Sequence, residues 1–369
     1  MNSVLLILFL GLTIVYSVIN LFGNDFTTIL QHSKPIKADR ILESKDNEST
    51  ISSEPLPSND EIFVSFGGNA DPYFIDALPI VAMAWIQLGV RPLVCLVGSK
   101  EDYQSNELKP IIEYLEKLNV TVTYLPGNYT LKTASLSQHC RLYAATSNLV
   151  SLDSVVIVSD IDYIPFHLNE HWVEDVDLFI YNSLCCGETE MFEHKFPHYP
   201  ISTIALRKRG WLELLELSHA TYENGTSIEG DLLAFFDKDM LDEHYFRLQL
   251  FRELQGHPFW YSDQKLTSFR IFDWKRRTKR VIRTGEYNGN KERIDRDNWP
   301  SDQILDTINL YDFNDAHLLR PISANWYRLQ AFFKKLFKPD LYQIAESYGL
   351  KMNALSRTYI RMREPSPIV

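Results

Sequence analysis

VVIVSDID, residues Val155–Asp162, runs from aliphatic side chains into a pair of carboxylates two positions apart. A short apolar run of this kind fits a strand buried on both faces, the usual state in a parallel sheet. In extended backbone, residues i and i+2 face the same way, so Asp160 and Asp162 are expected to point together from the strand's carboxyl end. Open α/β sheets bind ligands at that end. Hard carboxylate oxygens suit Mg2+ or Mn2+, and such an ion can hold a diphosphate. Asp-x-Asp recurs at Asp175/Asp177, Asp237/Asp239 and Asp295/Asp297. The first of these precedes a strand and the second ends a helical stretch. The third lies beside Arg293 and Arg296, which can neutralise it locally. Only Asp160/Asp162 follow an apolar strand.

The residues before this stretch repeat one pattern. IFVSF (Ile62–Phe66) is a buried-strand run ending in Gly67-Gly68, with helical spacing over Pro79–Leu88. PLVCLVG (Pro92–Gly98) is a strand followed by a helix over Leu108–Leu118, and VTVTYL (Val120–Leu125) a strand followed by a helix over Leu136–Leu149. Strands alternating with helices predict an α/β fold, a mostly parallel sheet with helices on both faces. The residues after it are less regular. LFIYNS (Leu178–Ser183) and ISTIAL (Ile201–Leu206) read as strands; Gly210–His219, Ile228–Phe236, Phe259–Trp274 and Asn325–Phe337 read as helices, with a loop region over Arg283–Asp315. Residues 61–338 are expected to form one enzyme-sized domain whose later part is a C-terminal, acceptor-side subregion, and 339–369 a C-terminal extension.

The amino terminus is of another character. Val4–Phe22 is apolar and uncharged, and at about 1.5 Å per residue it spans most of a bilayer core of roughly 30 Å. Residues 1–23 are therefore expected to form a signal-anchor helix, with cleavage after Ser17 the alternative. Residues 24–60 read as a flexible polar stem. The N-x-S/T acceptors Asn47, Asn119, Asn128 and Asn224 favour a lumenal or extracellular body. The expectation is a single-pass type II protein of the Golgi or ER membrane, held there by the N-terminal helix; secretion after cleavage is the alternative.

Composition narrows the classes. Of 369 residues, 45% are apolar and 13% aromatic, enough for a large packed core, so a disordered or collagen-like chain is excluded. The net charge of −11 argues against a nucleic-acid partner. Cys95, Cys140, Cys185 and Cys186 show no CxxC zinc spacing and are too few for a disulfide scaffold. The basic run Lys275–Arg280 reads as a solvated face or an acidic-glycan contact. The aromatic stripe of Phe246, Phe251, Phe259, Trp260, Phe269, Phe272 and Trp274 reads as core.

SDIDYIP (Ser159–Pro165), preceded by three strand–helix units and a helix bearing Arg141, resembles the nucleotide-sugar-dependent glycosyltransferases of the GT-A fold. The resemblance spans Glu61–Pro321. It implies a GT-A-like, Rossmann-type sheet and a transfer of a hexosyl or N-acetylhexosaminyl group. The partners implied are a nucleotide-sugar donor, a glycan, protein or lipid acceptor, and a divalent cation, Mn2+ or Mg2+. By the same resemblance Asp160 lies near ribose and metal, Asp162 ligates the metal, and the backbone of Gly67 and Gly68 approaches the nucleotide. Arg141 would reach nucleotide or phosphate; the blander expectation for it is a surface salt bridge.

Two further segments are similar to the glycogenin-type branch. Tyr261-Ser262-Asp263-Gln264 with Leu266 resembles its DQ motif, which implies that Asp263 faces the transferred sugar or the acceptor. DAHLLRP (Asp315–Pro321) resembles its late His segment, which implies His317 as a metal ligand. That branch carries Gly and Lys after the His, where this chain has Arg320 before Pro321; Arg can clamp phosphate bidentately. The departure leaves branch and stereochemistry open. Asp302, in a second SDQ at Ser301–Gln303, is the spare carboxylate for the catalytic role of Asp263. The segment Arg293–Arg296 with Trp299 is either a loop over the donor or a surface ion-pair cluster.

Two rival readings stand beside this one. A catalytically inactive GT-A-like carbohydrate-binding protein would keep the fold without turnover. A haloacid-dehalogenase-type phosphatase would need its nucleophilic Asp on the first strand and a later acidic pair. The transferase reading makes one demand of the structure. It collapses if Asp160 and Asp162 are buried in ion pairs far from any cleft.

Overall fold

Alternate side chains of each central strand feed two separate cores. In β1 (Ile62–Asn69), Val64 and Phe66 face one layer and Phe63 the other. In β2 (Arg91–Val97), Val94 and Leu96 separate likewise from Leu93, Cys95 and Val97. A strand buried on both faces is what a parallel sheet between helical layers requires. The computed structural model describes residues 61–363 apart from 175, 216–220, 242–257 and 286–292. The expected anchor (1–23) and stem (24–60), the acceptor Asn47, and Asp175, Phe246 and Phe251 lie outside the described residues. No helix among the described residues is long and apolar enough to cross a membrane.

The first units alternate as expected. β1 leads to α1 (Leu78–Gln87), β2 to α2 (Lys109–Lys117), β3 (Thr121–Leu125) to α3 (Thr133–Cys140), and a 3-10 turn, Arg141–Thr146, precedes β4 (Val155–Ser159). The helix expected over Leu136–Leu149 thus ends early, and Arg141 is placed at the break. β5 (Tyr163–Pro165) is short, β6 (Leu178–Tyr181) rejoins the sheet, and β7 (Glu188–Met191) with β8 (His194–Pro197) forms a hairpin. Then come β9 (Thr203–Arg207), α4 (Lys208–Leu214), α5 (Gly225–Phe235) and α6 (Pro258–Arg277). The region read as a loop holds β10 (Ile282–Gly285) and α7 (Asp302–Thr307), and is followed by β11 (Asp315–His317), α8 (Ile322–Leu336) and α9 (Pro339–Arg363).

The main sheet has the order β10-β6-β9-β4-β1-β2-β3. All neighbours are parallel except β9, which is antiparallel to β4 and β6. With helices on both faces this is a GT-A-like, Rossmann-type α/β fold. β1 and α1, α2, α8 and α9 share one core; α3 to α6 contribute to the other. Phe269 and Trp274 of the aromatic stripe are buried in the second core. The basic run is a surface face in which Arg277 pairs with Asp273, and Arg280 with Glu213 and Asp177.

Cys185 and Cys186 form a disulfide between adjacent residues, while Cys95 and Cys140 are free and buried. Asn119, Asn128 and Asn224 are all exposed.

Candidate functional site

Asp160 and Asp162 lie beyond the carboxyl end of β4, in a turn closed by a bond from Tyr163 N–H to Asp160 O of 3.3 Å. The turn corrects the extended geometry expected from the spacing: the two carboxylates do not share one direction and meet different partners. Asp160 accepts from Arg141 Nη1 at 2.7 Å, and Arg141 Nη2 donates to Asp263 Oδ2 at 2.6 Å. Arg141 Nη1 also donates to Ser159 O at 2.7 Å. The surface salt bridge weighed for Arg141 is therefore not what forms. Arg141 is buried between two carboxylates; burial alone would weaken its charge, but Asp160 and Asp263 reverse that and push its pKa up. Its position follows from the break after α3, where Ser65 of β1 donates to Arg141 O at 2.9 Å.

Asp263 is 2% exposed. It sits just after Tyr261, whose non-helical backbone kinks α6, and its second oxygen accepts from Gln264 N–H at 2.7 Å. The two SDQ sequences are thereby distinguished. Ser262, Asp263 and Gln264 are all buried and Asp263 pairs with Arg141, whereas Asp302 is exposed in the first turn of α7, with no described contact to the cluster.

Asp162 is held by a different set. β5 pairs antiparallel with β11, His317 opposite Tyr163, and Leu318 N–H donates to Asp162 O at 2.9 Å. This ribbon brings His317 Nε2 to 3.1 Å from Asp162 Oδ2. Arg296 Nη1 donates to the same oxygen at 2.9 Å, and Arg320 Nε lies 3.0 Å away as an ion pair without hydrogen-bond geometry. Arg320 also lies over the ring of Phe74, 5.4 Å from its centroid, just beyond β1. Burial would raise the Asp162 pKa, but His317, Arg320 and Arg296 together hold it well below the usual carboxylate range. Asp162 is thus buried in ion pairs at 3% exposure, whereas Asp160 keeps 31% of its side chain exposed.

Arg296 was expected to neutralise its own neighbours. Instead it reaches Asp162 and His317, with Nη2 against the imidazole. Arg293 turns to Asp315 at 2.5 Å. The backbone that aims them is fixed, since Ile294 N–H donates to Asp315 O at 3.0 Å and His317 N–H to Ile294 O at 2.8 Å. Arg296 is the side chain of this cluster that the sequence pattern placed only in a general loop. Its 134-residue separation from Asp162 leaves no local signal.

Gly67 and Gly68 have a packing reason. A Cβ on Gly67 would stand 1.8 Å from Ser137 O of α3, and one on Gly68 would meet Ile75 and Leu96 side chains. Their side-chain directions are filled by the chain itself.

The donor set can be tested for a divalent cation. Asp162 offers a hard carboxylate oxygen suited to Mn2+ or Mg2+, whereas the His317 imidazole is not a ligand that Mg2+ favours, and the Arg296 guanidinium already contacts both. Among the described residues no three His, Cys, Asp or Glu groups gather closely enough to hold an ion. Asp160, drawn to Arg141, does not complete the set. Asp162 Oδ2 is already shared by Arg296, Arg320 and His317, so the described residues do not fit a divalent cation in this arrangement. A cavity of about 200 Å³ lies elsewhere, lined by residues such as Glu174, Arg207 and Trp274 near the start of β6, and contains none of these groups.

No family model matches the chain, and no curated protein matches it. Among solved structures it is similar to a Drosophila galactosyltransferase 7 mutant in complex with manganese, UDP-Gal and xylobiose. The identity is 8% over 65% of this chain and 74% of that one, with a TM-score of 0.22. At that superposition the similarity carries no weight for chemistry, and the fold assignment rests on strand order and layering.

Proposed function

We propose that the protein is a glycosyltransferase that moves a sugar from a nucleoside-diphosphate donor to a glycan, protein or lipid acceptor, using Mn2+ or Mg2+. The observation that carries this reading is the meeting of Arg141, Asp160, Asp162, Arg296, His317 and Arg320 beyond the carboxyl end of β4. They come from distant parts of the chain to the edge where such sheets bind nucleotides.

Breaking the bond between the sugar and the diphosphate leaves negative charge on the departing phosphate. Arg320 and Arg296 are guanidinium groups suited to bidentate phosphate contacts. A divalent cation would stabilise that charge further, but Asp162 could hold one only if Arg296 and Arg320 left its Oδ2. Asp160 keeps part of its carboxylate exposed, at 31% of the side chain, and can accept from a nucleotide hydroxyl. Asp263 acts in this reading as a positioning residue: it anchors the second nitrogen of Arg141, which in turn fixes Asp160.

The test is a panel of nucleotide sugars offered to the full-length chain with candidate acceptors, reading nucleoside diphosphate release. Release from at least one donor, dependent on Mn2+ or Mg2+ and lost in chelator, is expected. Failure of every donor, with no nucleotide binding, would overturn the reading. A lumenal setting is part of the proposal and is supported by the exposure of Asn119, Asn128 and Asn224. Protein from a secretory host should shift in mobility on endoglycosidase treatment, and an unchanged band would remove that setting.

A further inference from the structure

Cys95 belongs to β2 and Cys140 is the last residue of α3, 45 positions later in the chain. Both are fully buried in the second core. Gly67 is what lets them meet. In the parallel pairing of β1 with β2, Gly67 stands opposite Cys95. Residues paired in this way address the same face of the sheet, on strands about 4.8 Å apart. Gly67 has no side chain, and the Cys140 sulfur takes that space: a Cβ on Gly67 would lie 2.9 Å from Cys140 Sγ. The Cys140 thiol, a weak donor, reaches Cys95 O at 3.5 Å and Ser137 O at 3.4 Å. The two thiols also touch each other. Burial first, and then a hydrogen bond with Cys140, push the Cys95 thiol well above its ordinary value.

We infer that Cys95 and Cys140 are a disulfide-forming pair, whose closure pins the end of α3 to β2 when the chain folds in an oxidising compartment. The oxidant is a small-molecule disulfide of the glutathione class. One cysteine thiolate attacks it, expelling a glutathione thiolate and leaving a mixed disulfide. The other cysteine thiolate then attacks the cysteine sulfur of that intermediate, forming the Sγ–Sγ bond and expelling the second glutathione thiolate. The two cysteine protons pass to the released thiolates; the protein loses two electrons and the glutathione disulfide gains them. Because both residues are fully buried in the folded core, closure belongs to folding, before the core shuts. The bond stands directly before Arg141, whose backbone oxygen already accepts from Ser65 at 2.9 Å. The inference stands apart from the transferase reading and survives its failure.

The experiment refolds the full-length protein from urea in a buffer of reduced and oxidised glutathione. The soluble product is denatured without reduction, alkylated with iodoacetamide and digested. Peptides carrying Cys95 and Cys140 should be recovered joined to each other with neither alkylated, and Cys140→Ala should leave Cys95 open to alkylation. Melting is the second measure. In a Cys185→Ser, Cys186→Ser variant only this bond can change. Its oxidised form should melt about 5 °C or more above the same protein kept in dithiothreitol. Alkylation of both Cys95 and Cys140 in refolded wild type, or their linkage only to Cys185, Cys186 or glutathione, would overturn the inference. Equal melting of the two forms would overturn it as well, since a bond that fits the native positions of both sulfurs restricts the unfolded chain and must stabilise the fold.

Discussion

At Asp162 the cost of burial is opposed by His317, Arg320 and Arg296, and the ionised form wins. A carboxylate held below its ordinary 3.8 contributes stability that is fully present above that pH and is lost as pH falls through the folded value. Asp162→Asn removes this contribution and leaves two guanidinium groups without their counter-charge. Because Arg296 and Arg320 are partly solvated, the expected loss is about 2 kcal/mol at neutral pH, less than for a fully buried pair. Urea denaturation should show that loss together with a flatter acid limb, and donor turnover should vanish. Asp76 runs the opposite way. Its carboxylate caps α8 by accepting from Ser323 N–H at 2.8 Å, yet burial lifts its pKa to about 6. An acid raised on folding keeps its proton longer in the native state, so stability falls as pH rises from about 4 through about 6. The shift from 3.8 to about 6 corresponds to about 3 kcal/mol. Asp76→Asn retains an acceptor for Ser323, and is expected to melt higher than wild type at pH 7.5, with the difference shrinking towards pH 4. A constant difference across that range would show that the Asp76 charge is not the cause.

The packing of β1 on α3 makes a separate, local test. Gly67→Ala would drive a methyl into Ser137 O, a backbone atom, whereas Gly68→Ala meets the ends of Ile75 and Leu96 side chains that can turn. Overpacking commonly costs about 1–3 kcal/mol. Gly67→Ala is expected at the upper end and Gly68→Ala at the lower in chemical denaturation, and equal losses would remove the distinction. The same elements show what could be read in advance. Strands β1 to β4 were legible because each is a short apolar run bounded by turn residues, and the fold class followed from their alternation with helices. Asp160, Asp162, Arg141, Asp263, His317 and Arg320 were legible as candidates, and the structure brings them to one edge. Their mutual geometry was not. The i, i+2 rule holds only in extended backbone, and Asp160–Asp162 is a turn. Asp302 shares the SDQ letters of Asp263 but lies on an exposed helix start, a difference of burial that three letters do not encode. The contact of Arg296 depends on the Ile294–Asp315 pairing, which no local periodicity announces.

Seen as a whole, the body is closed by its last helices, and the closure reaches the candidate site. α9 lies on α8 where Gly349 leaves no room for a side chain against Trp326, a Cβ there falling 2.0 Å from the indole. Tyr348 donates to Asp76 O at 2.5 Å, and Asn353 donates to Ser323 O at 2.7 Å. Asn353 holds Ser323, three residues from Arg320, and Tyr348 reaches the same point through Asp76, whose carboxylate accepts from Ser323 N–H, so the segment read as a C-terminal extension is coupled through α8 to a guanidinium beside Asp162. Two perturbations separate bulk support from this local coupling. Ending the chain at Lys338 removes α9 and bares Trp326. Fully burying a large apolar side chain contributes about 1.5–3 kcal/mol, and the total margin of a folded protein is about 5–15 kcal/mol. The truncated chain is therefore expected to be recovered only as aggregate. Asn353→Ala removes a single bond to Ser323 O at a cost of about 1 kcal/mol, and should fold. Its expected signature is a weaker affinity for nucleoside diphosphate, measured calorimetrically, with the melting temperature only slightly lowered. A lowered melting temperature with unchanged affinity would show that α9 supports the core but does not position Arg320.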